Sequence, residues 1–183
     1  MKGRRKAAAI LTACSMAGAL LTGCAGQTSG SAQDSQIVTI GIFVPLSGTM
    51  ADTGKRIVDG ISMAQDEINA SGGINGMQVE LIIEDDEGVP ASAVNAATKL
   101  VNSDKVVALM GSNPSSCTIA AMTVSEKNGI PQIAANSSSP KITTGEYQYV
   151  FQTIPNDQIQ VTRLVEYADS EMGFQSMALV HSN

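Results

Sequence analysis

Apolar runs alternate with amphipathic segments along most of this chain, and this alternation constrains the fold more than any other feature. The runs are IVTIGIFVP, MQVELIIEDD, KVVALMG and IPQIAAN, and each is almost continuously apolar. Strands have this composition when helices cover both faces of a parallel sheet. The first intervening segment has helical spacing, shown by Ile57, Ile61, Ala64 and Ile68. Strand–helix repeats predict right-handed βαβ units. We therefore expect an α/β fold, an open parallel sheet with helices on both faces.

Proline and glycine mark the limits of the later helices. Pro90 suits the first turn of a helix, and Gly129 is suited to end the helix that follows the third strand. That helix aligns small and apolar residues on one face, namely Cys117, Ala120, Ala121 and Val124. We expect Cys117 to be a small core residue rather than a reactive thiol.

The pattern predicts one lobe over residues 37–154 and the start of another over residues 155–183. The second region contains a helical segment and the stretch SMALVHSN, which is predicted to be a buried strand. The apolar face of the helix consists of Val161, Leu164, Val165 and Ala168. One helix and one strand cannot bury each other's apolar surface, so we expect the second lobe to be incomplete here.

The amino terminus has the pattern of an export signal over residues 1–23, with basic residues, an apolar stretch and small residues before Cys24. The stretch is too short and too often interrupted to span a membrane. Its end, LTGC, resembles the lipobox of bacterial lipoproteins, whose cysteine is acylated, so we expect Cys24 to carry lipid. The polar residues 24–36 are expected to form a flexible tether. Cleavage before Cys24 would leave Cys117 without a disulfide partner.

Charge and composition exclude several partners. The chain has 11 basic and 17 acidic residues, and Lys2, Arg4, Arg5 and Lys6 belong to the signal, so the remainder has a net charge of 7 − 17 = −10. An acidic domain repels nucleic acid and anionic lipid headgroups. Aromatic residues make up 3% of the chain and tryptophan is absent, so a stacking platform for bases or sugars is poorly supplied. We expect no nucleic-acid partner.

Four loops follow the predicted strands, and in open α/β sheets such loops bind the ligand. They are PLSGTMADTG, EDDEGVP, GSNPSSCT and ANSSSPKIT. None contains a Gly-rich phosphate-binding motif or the G-x-S-x-G elbow of a serine nucleophile, and the sole histidine is His181. We therefore expect no nucleotide cofactor and no catalytic residue. The acidic run from Asp85 to Glu87 is interpreted as support for the following helix N-terminus rather than as a metal site, since no Cys or His cluster accompanies it.

Ligand docking is the remaining use for these loops. Ser115 and Ser116 are predicted in the first turn of a helix, where free N–H groups and the helix dipole favour a carboxylate. Asn136 and Ser138 follow the neighbouring strand, where carbonyl groups could accept from an ammonium. Together these groups suit a zwitterionic amino acid. The alternative, that the serines only cap helices and turns, remains open on spacing alone.

The segments EINASGGINGM, DDEGVPASA, VVALMGSNPSSCT, GIPQIAANSSSPKIT and YVFQTIPND resemble the type I periplasmic binding proteins. The resemblance is greatest to the leucine/isoleucine/valine receptors of branched-chain amino acid ABC importers. It implies two α/β lobes that close on one ligand and deliver it to a permease. It also implies that Ser115 holds the ligand carboxylate, that Asn136 offers backbone groups and that Ser138 offers a hydroxyl. Thr53 falls where the amino-acid receptors usually place an aromatic side chain, which is a departure from the pattern.

The resemblance predicts a lipid-anchored solute-binding protein of an ABC importer, on the outer face of the cytoplasmic membrane, with no enzymatic activity and no cofactor. Family chains are roughly twice as long, so we expect a fragment that binds its ligand weakly or not at all. A ligand-sensing module for short amides, urea or aromatic acids is an alternative within the same fold. An exported hydrolase is a third interpretation, which the lack of a base near any serine disfavours.

Overall fold

The computed structural model describes residues 37–134, 136–178 and 180. The predicted signal (residues 1–23), the tether (residues 24–36) and the lipidated Cys24 lie outside the described residues.

Five parallel strands form one sheet in the order β2-β1-β3-β4-β5. The strands are β1 (Ile37–Val44), β2 (Gln78–Asp85), β3 (Ala108–Gly111), β4 (Gln132–Ala134) and β5 (Val150–Gln152). The helices are α1 (Ala51–Ala70), α2 (Pro90–Asn102), α3 (Ser115–Asn128) and α4 (Asp157–Ser170), with short 3-10 turns at Gly48–Met50 and Pro140–Ile142. The predicted open parallel α/β fold is confirmed, and β5 adds a fifth strand to the four that the apolar runs predicted.

The chain reverses its direction across the sheet after β2. The connection from β1 to β2 runs one way and that from β2 to β3 runs the other way, passing β1. Because parallel crossovers are right-handed, α1 lies on one face while α2 and α3 lie on the other. The reversal creates a switch point between the carboxyl ends of β1 and β3, where open α/β sheets bind ligands.

The main core lies between the sheet and the helices α2 and α3. Phe43 and Leu109 project from the strands and are at most 1% exposed, and Leu100 of α2 packs against them. Small residues of the two helices fill the remaining space, namely Ala93, Ala96, Ala97, Cys117 and Ala121. Small side chains let α2 and α3 approach the sheet closely, so this face is well packed. Cys117 is fully buried, as predicted for a core residue.

The opposite face of the sheet carries an apolar row that spans all five strands in register. The row consists of Ile83, Ile42, Met110, Ile133 and Phe151. The side chains of this row become more exposed towards β5, since Ile42 is 1% exposed and Phe151 is 54% exposed. The helix α1 packs on β2, at the other end of this row.

The region after β5 corrects one sequence expectation. The predicted helix is present as α4, and of its apolar face Val161, Leu164 and Val165 are exposed and Ala168 is buried. The stretch SMALVHSN, predicted to be a buried strand, has no strand in its described residues, 176–178 and 180. No described strand or helix lies against this apolar surface to pair with it or cover it. Within the described ranges, no helix is both long and apolar enough to cross a membrane.

Candidate functional site

Loops from three strands meet at the carboxyl edge of the sheet, beside the switch point. Gly88, in the turn after β2, lies where these loops meet. A Cβ placed on Gly88 would lie 3.9 Å from Met50 Sδ and 3.9 Å from Pro114 Cγ, so the loops after β1, β2 and β3 are within van der Waals distance of one another. Thr53 follows β1 in the first turn of α1, and Ser115 follows β3 at the first residue of α3. The two residues therefore come from the strands that border the switch point.

The amino terminus of α3 offers two unpaired backbone donors. Its N-cap, Pro114, provides no side-chain cap, and the N–H groups of Cys117 and Thr118 already donate to the Pro114 carbonyl at 3.0 and 3.1 Å. The N–H groups of Ser115 and Ser116 have no acceptor in the part of the chain that the structure describes. Free donors at the positive end of a helix favour an anion such as a carboxylate.

Three buried hydroxyl-bearing residues hold the loop that leads into α3. The Ser112 N–H donates to Thr118 Oγ1 at 2.7 Å, and Ser137 Oγ donates to the Ser112 carbonyl at 2.7 Å. Thr118 Oγ1 and Ser137 Oγ are also 2.6 Å apart. Because Thr118 and Ser137 are fully buried and Ser112 is 2% exposed, these bonds are shielded from water. They tie the loop after β3 to the loop after β4.

Two further contacts join these loops at the surface. The Ser139 N–H donates to Ser115 Oγ at 3.3 Å, and the Asn136 side-chain amide donates to Asn113 Oδ1. The carbonyl of Ser138 accepts from the Asp157 N–H at 2.8 Å, which connects the loop to the start of α4. Four of the five residues that the sequence singled out therefore lie on two linked segments, with Ser115 and Ser116 at the start of α3 and Asn136 and Ser138 in the loop after β4.

Thr53 is half-buried at the same edge of the sheet but on the far side of the switch point. Its position depends on Gly54, where α1 approaches the loop after β1. A Cβ on Gly54 would lie 1.8 Å from the Pro45 carbonyl oxygen. The glycine is therefore needed to bring the first turn of α1, and Thr53 with it, against the carboxyl end of β1.

The two adjacent aspartates after β2 have opposite environments. Asp85 is exposed, and its Oδ1 accepts from the N–H groups of Leu46 and Glu87 at 2.7 and 2.8 Å. Burial raises the pKa of Asp85, but hydrogen bonds from the Ser47 hydroxyl and nearby N–H groups together lower it below its ordinary value. Asp86 is fully buried, and burial is the main cause that raises its pKa.

The predicted role of this acidic run at the helix N-terminus is confirmed only for Glu87, whose Oε2 accepts from the Ser92 hydroxyl in the first turn of α2 at 2.8 Å, and needs correction for the two aspartates. The N-cap of α2 is Val89, which receives no side-chain hydrogen bond. Asp86 Oδ1 instead accepts from the Gly88 N–H at 2.9 Å, so both aspartates stabilise the turn before the helix. Hydrogen bonds from adjacent turn N–H groups stabilise a carboxylate more than the dipole of a helix that begins several residues later. Across residues 37–134, 136–178 and 180, no group of three His, Cys, Asp or Glu side chains is placed to hold a metal ion.

Cys117 is expected to be unreactive in the folded protein. Burial, with a contribution from the charge of Asp86, raises the pKa of its thiol to about 11, and its side chain has no exposure. At pH 8 the folded protein should therefore incorporate iodoacetamide at Cys117 only after denaturant is added, because the thiolate is the reactive form. Peptide mass mapping separates Cys117 from Cys14 and Cys24. Rapid labelling of Cys117 without denaturant would contradict the packing of α3 described above.

Sequence reasoning missed the groups that organise the site, which are Ser112, Thr118 and Ser137 together with Asn113. Thr118 lies one turn after Ser115 on a helix whose apolar face was identified correctly. The sequence does not show, however, which group a hydroxyl on that face will bond. Ser137 was visible only as one serine in a run of three.

A family model described as "Periplasmic binding protein" matches residues 37–183. The amino acid binding protein of Pseudomonas aeruginosa is 34% identical over 144 residues, which are 79% of this chain and 38% of that protein. The Leu/Ile/Val-binding protein of Escherichia coli is 30% identical over 163 residues, which are 89% of this chain and 44% of that protein.

Solved structures give the same result. The branched-chain amino acid transporter substrate binding protein LivJ from Streptococcus pneumoniae, in complex with isoleucine, matches with a TM-score of 0.70 and 32% identity, over 75% of this chain and 39% of that chain. The leucine binding protein LivK from Thermotoga maritima matches with a TM-score of 0.67 and 26% identity, over 74% and 38%. The chain spans about two fifths of the length of these relatives. The predicted resemblance is confirmed by these matches, and the chain belongs to the periplasmic binding protein family, type I.

Proposed function

We propose that this chain is the first ligand-binding lobe of an extracytoplasmic solute-binding protein of an ABC importer. In this proposal it binds branched-chain or similar amino acids and takes part in their delivery to a permease. Its relatives support this ligand class, since they include amino acid and Leu/Ile/Val-binding proteins and a structure in complex with isoleucine. In this proposal the protein binds its ligand and catalyses no reaction.

The free N–H groups of Ser115 and Ser116 are the observation that carries the proposal. They lie at the positive end of α3, beside the Ser115 hydroxyl, and can donate hydrogen bonds to the carboxylate that all amino acids share. In the proposed complex the loop of Asn136 and Ser138 lies next to them, and its carbonyl and hydroxyl groups bind the ammonium and the second carboxylate oxygen. Thr53 contacts the ligand from across the switch point.

Membrane attachment is proposed from the sequence alone. Removal of residues 1–23 exposes Cys24, whose acylation holds the protein on the outer face of the cytoplasmic membrane. The tether of residues 24–36 then separates the lobe from the bilayer. Two acyl chains would hold it more firmly than one, at roughly 0.8 kcal/mol for each buried methylene group.

Replacing Ser115 with alanine is expected to weaken leucine binding about tenfold or more, because a hydrogen bond to a charged group contributes roughly 1.5–3 kcal/mol. The matched control is Ser103→Ala, at the end of α2, which lies at the opposite edge of the sheet. It should change the affinity less than about twofold. Leucine, isoleucine and valine are titrated into each protein, and amide chemical shifts give the dissociation constants. Equal affinities for the two variants would contradict the assignment of Ser115.

One structural relative supports the alternative of a receptor for aromatic acids. A solute binding protein from Rhodopseudomonas palustris, in complex with 3,4-dihydroxy benzoic acid, matches with a TM-score of 0.59 and 26% identity, over 66% of this chain and 32% of that chain. An aromatic acid carries a carboxylate but no ammonium. Binding of benzoate-type acids in place of amino acids in the same titration would therefore select this alternative.

A further inference from the structure

Gln152 is a polar residue that the proposed ligand site does not use. It is the last residue of β5 and is half-buried, and its side-chain amide donates to the Ser137 carbonyl at 2.6 Å. Because a carbonyl oxygen can only accept, the amide nitrogen of Gln152 is the group that faces it. Ser137 directly precedes Ser138, so this bond joins the edge strand of the sheet to the loop after β4, residues 136–139.

The loop after β4 depends on its neighbours for its conformation. Residues 136–139 contain no helix or strand, and no backbone hydrogen bond joins two of these four residues in the part of the chain that the structure describes. A loop without internal bonds keeps a single conformation only where surrounding groups hold it, since conformational entropy opposes its ordering. The bonds that reach the loop from outside therefore decide where its residues lie.

Hydrogen bonds reach this loop from two sides, because β4 lies between β3 and β5 in the sheet. On one side the loop is bonded to the loop after β3 and to α3, as described above. On the other side Gln152 holds the Ser137 carbonyl, and the Asp157 N–H donates to the Ser138 carbonyl at 2.8 Å. Of these last two bonds only that of Gln152 comes from a side chain, so a substitution can remove it without changing the backbone.

The register of the sheet explains why the Gln152 amide reaches the loop. Gln152 pairs with Ala134, the last residue of β4, so it lies level with the point where the loop begins. Val150 and Ala134 pack with Met122 of α3, and side chains two residues apart on a strand share one face. The Gln152 amide therefore lies on the side of the sheet where α3 holds the same loop.

The Ser137 carbonyl has no second donor. Ser137 is fully buried, and among the described residues only Gln152 donates to its carbonyl. A buried carbonyl without a donor is unfavourable, so loss of the amide would favour a loop conformation that exposes this carbonyl to water. The Ser137 carbonyl and the Ser138 N–H belong to one planar peptide group, so such a change would turn Ser138 as well.

We propose that Gln152 is a positioning residue for the loop after β4: its side-chain amide holds the Ser137 carbonyl and thereby fixes where Ser138 meets the ligand. Gln152 itself does not touch the ligand. This inference rests on the proposed function, which assigns Asn136 and Ser138 to the ligand site. The hold of Gln152 on the loop can be measured without any ligand.

The first test measures this hold by amide hydrogen exchange in Gln152→Met. Methionine has nearly the length of glutamine but no N–H donor. The amides of Ser139 and Asp157, which bond the loop to α3 and to the start of α4, should exchange faster by roughly threefold to tenfold. Unchanged exchange at both amides would overturn the proposal.

Gln65→Met is the matched control. Gln65 Nε2, from α1, donates to the Val79 carbonyl at 2.9 Å, and this bond is part-buried like that of Gln152. Val79 lies near the start of β2, at the edge of the sheet away from the ligand loops. The substitution makes the same chemical change in the same kind of contact, so the Ser139 and Asp157 amides should keep their exchange rates.

A variant with a shorter amide covers the case in which Gln152→Met does not fold. In Gln152→Asn the amide is kept, but the side chain is shorter by one methylene group and cannot bring its N–H to the Ser137 carbonyl. The same increase in exchange is expected at Ser139 and Asp157. Native exchange rates in Gln152→Asn would equally overturn the proposal.

The second test adds leucine to each protein. Gln152→Met should bind it roughly threefold to tenfold more weakly than the unmodified chain, because the ligand must then order the loop as it binds. At saturating leucine the amide shifts of residues 136–139 should be reduced, while those of Ser115 and Ser116 remain. A substitution that only destabilised the fold would reduce all of these shifts together. Gln65→Met should change the affinity less than about twofold, and equal weakening by the two substitutions would contradict a positioning role.

The two proposals can fail separately. If no amino acid binds the unmodified chain but exchange at Ser139 and Asp157 is faster in Gln152→Met, the proposed ligand fails and the hold of Gln152 on the loop stands. If leucine binds the unmodified chain and Gln152→Met equally well, Gln152 has no positioning role and the proposed ligand site is unaffected.

Discussion

Replacing Gly54 with alanine is expected to destabilise the fold by about 3 kcal/mol or more. The new Cβ would lie 1.8 Å from the Pro45 carbonyl oxygen and 2.7 Å from its carbonyl carbon. These are backbone atoms at the end of β1, so the clash cannot be relieved by rotating a side chain. The helix α1 would have to move away from the sheet and would carry Thr53 with it. Urea unfolding followed by circular dichroism measures the loss.

Gly60→Ala provides a control within the same helix. A Cβ on Gly60 has no atom within 4 Å, so this substitution only exchanges glycine for a better helix former. It should stabilise the protein by roughly 0.5–1 kcal/mol. The two variants have the same chemical change in the same helix and opposite expected signs. If Gly54→Ala were as stable as Gly60→Ala, this result would contradict the close contact of α1 with the Pro45 carbonyl at the end of β1.

Replacing Thr118 with valine is expected to cost about 2–4 kcal/mol. Valine has a similar shape, but it removes the acceptor of the Ser112 N–H and the partner of Ser137 Oγ. The Ser112 N–H would then be buried without an acceptor, because the site is closed to water, and Ser137 Oγ would keep only its bonds to backbone carbonyls. The loss should be accompanied by weaker ligand binding, since the loop that leads to Ser115 would no longer be held. Unfolding curves and a leucine titration measure the two effects.

Thr123→Val is the matched control for this prediction. Thr123 lies on the exposed side of α3, where its hydroxyl donates only to the Ala120 carbonyl at 3.0 Å. Water can replace that bond, so the substitution should change stability by less than about 0.5 kcal/mol and leave binding unchanged. A similar cost for the two threonines would show that the buried hydroxyl groups do not hold the loop.

The fold could be predicted well where local patterns agree with the tertiary structure. Pro90 is the first residue of α2, and Gly129 is the left-handed C-cap of α3, as their chemistry predicts. The apolar run of β1 is buried in its second half, residues 41–44, whereas Ile37 at its start is exposed. The helix α4 was predicted with its apolar face, and most of that face is exposed. A periodic pattern shows which face can be buried, and a neighbouring element must be present to bury it.

The candidate site could be predicted only in part, for a related reason. Ser115 was identified because a free helix N-terminus follows from the order of strand, loop and helix. Asp85 and Asp86 are adjacent and chemically identical, yet one is exposed and the other is fully buried. Their partners also differ, since Asp85 Oδ1 accepts from the Leu46 N–H, which the pairing of β1 with β2 brings to it, and Asp86 Oδ1 accepts from the Gly88 N–H. Such long-range contacts leave no local pattern in the sequence.

These features together describe a site whose shape is set before any ligand binds. Gly54 permits the close approach of α1, and Thr118 and Ser137 hold the two loops together. Preorganised donors lose little conformational entropy when a ligand binds. A lobe of this kind can therefore present the same carboxylate-binding groups at every encounter with a ligand.

The central claim is that the amino terminus of α3 and the loop after β4 together bind an amino acid. Amide chemical-shift mapping tests this claim most directly. Leucine is titrated into the ¹⁵N-labelled chain, and the shift of every assigned amide is followed. The account predicts that the largest changes occur at Ser115 and Ser116 and in the loop from Asn136 to Ser138, and that Ser115→Ala reduces them. Shifts confined to other parts of the chain, or none at any concentration up to the solubility of leucine, would contradict it.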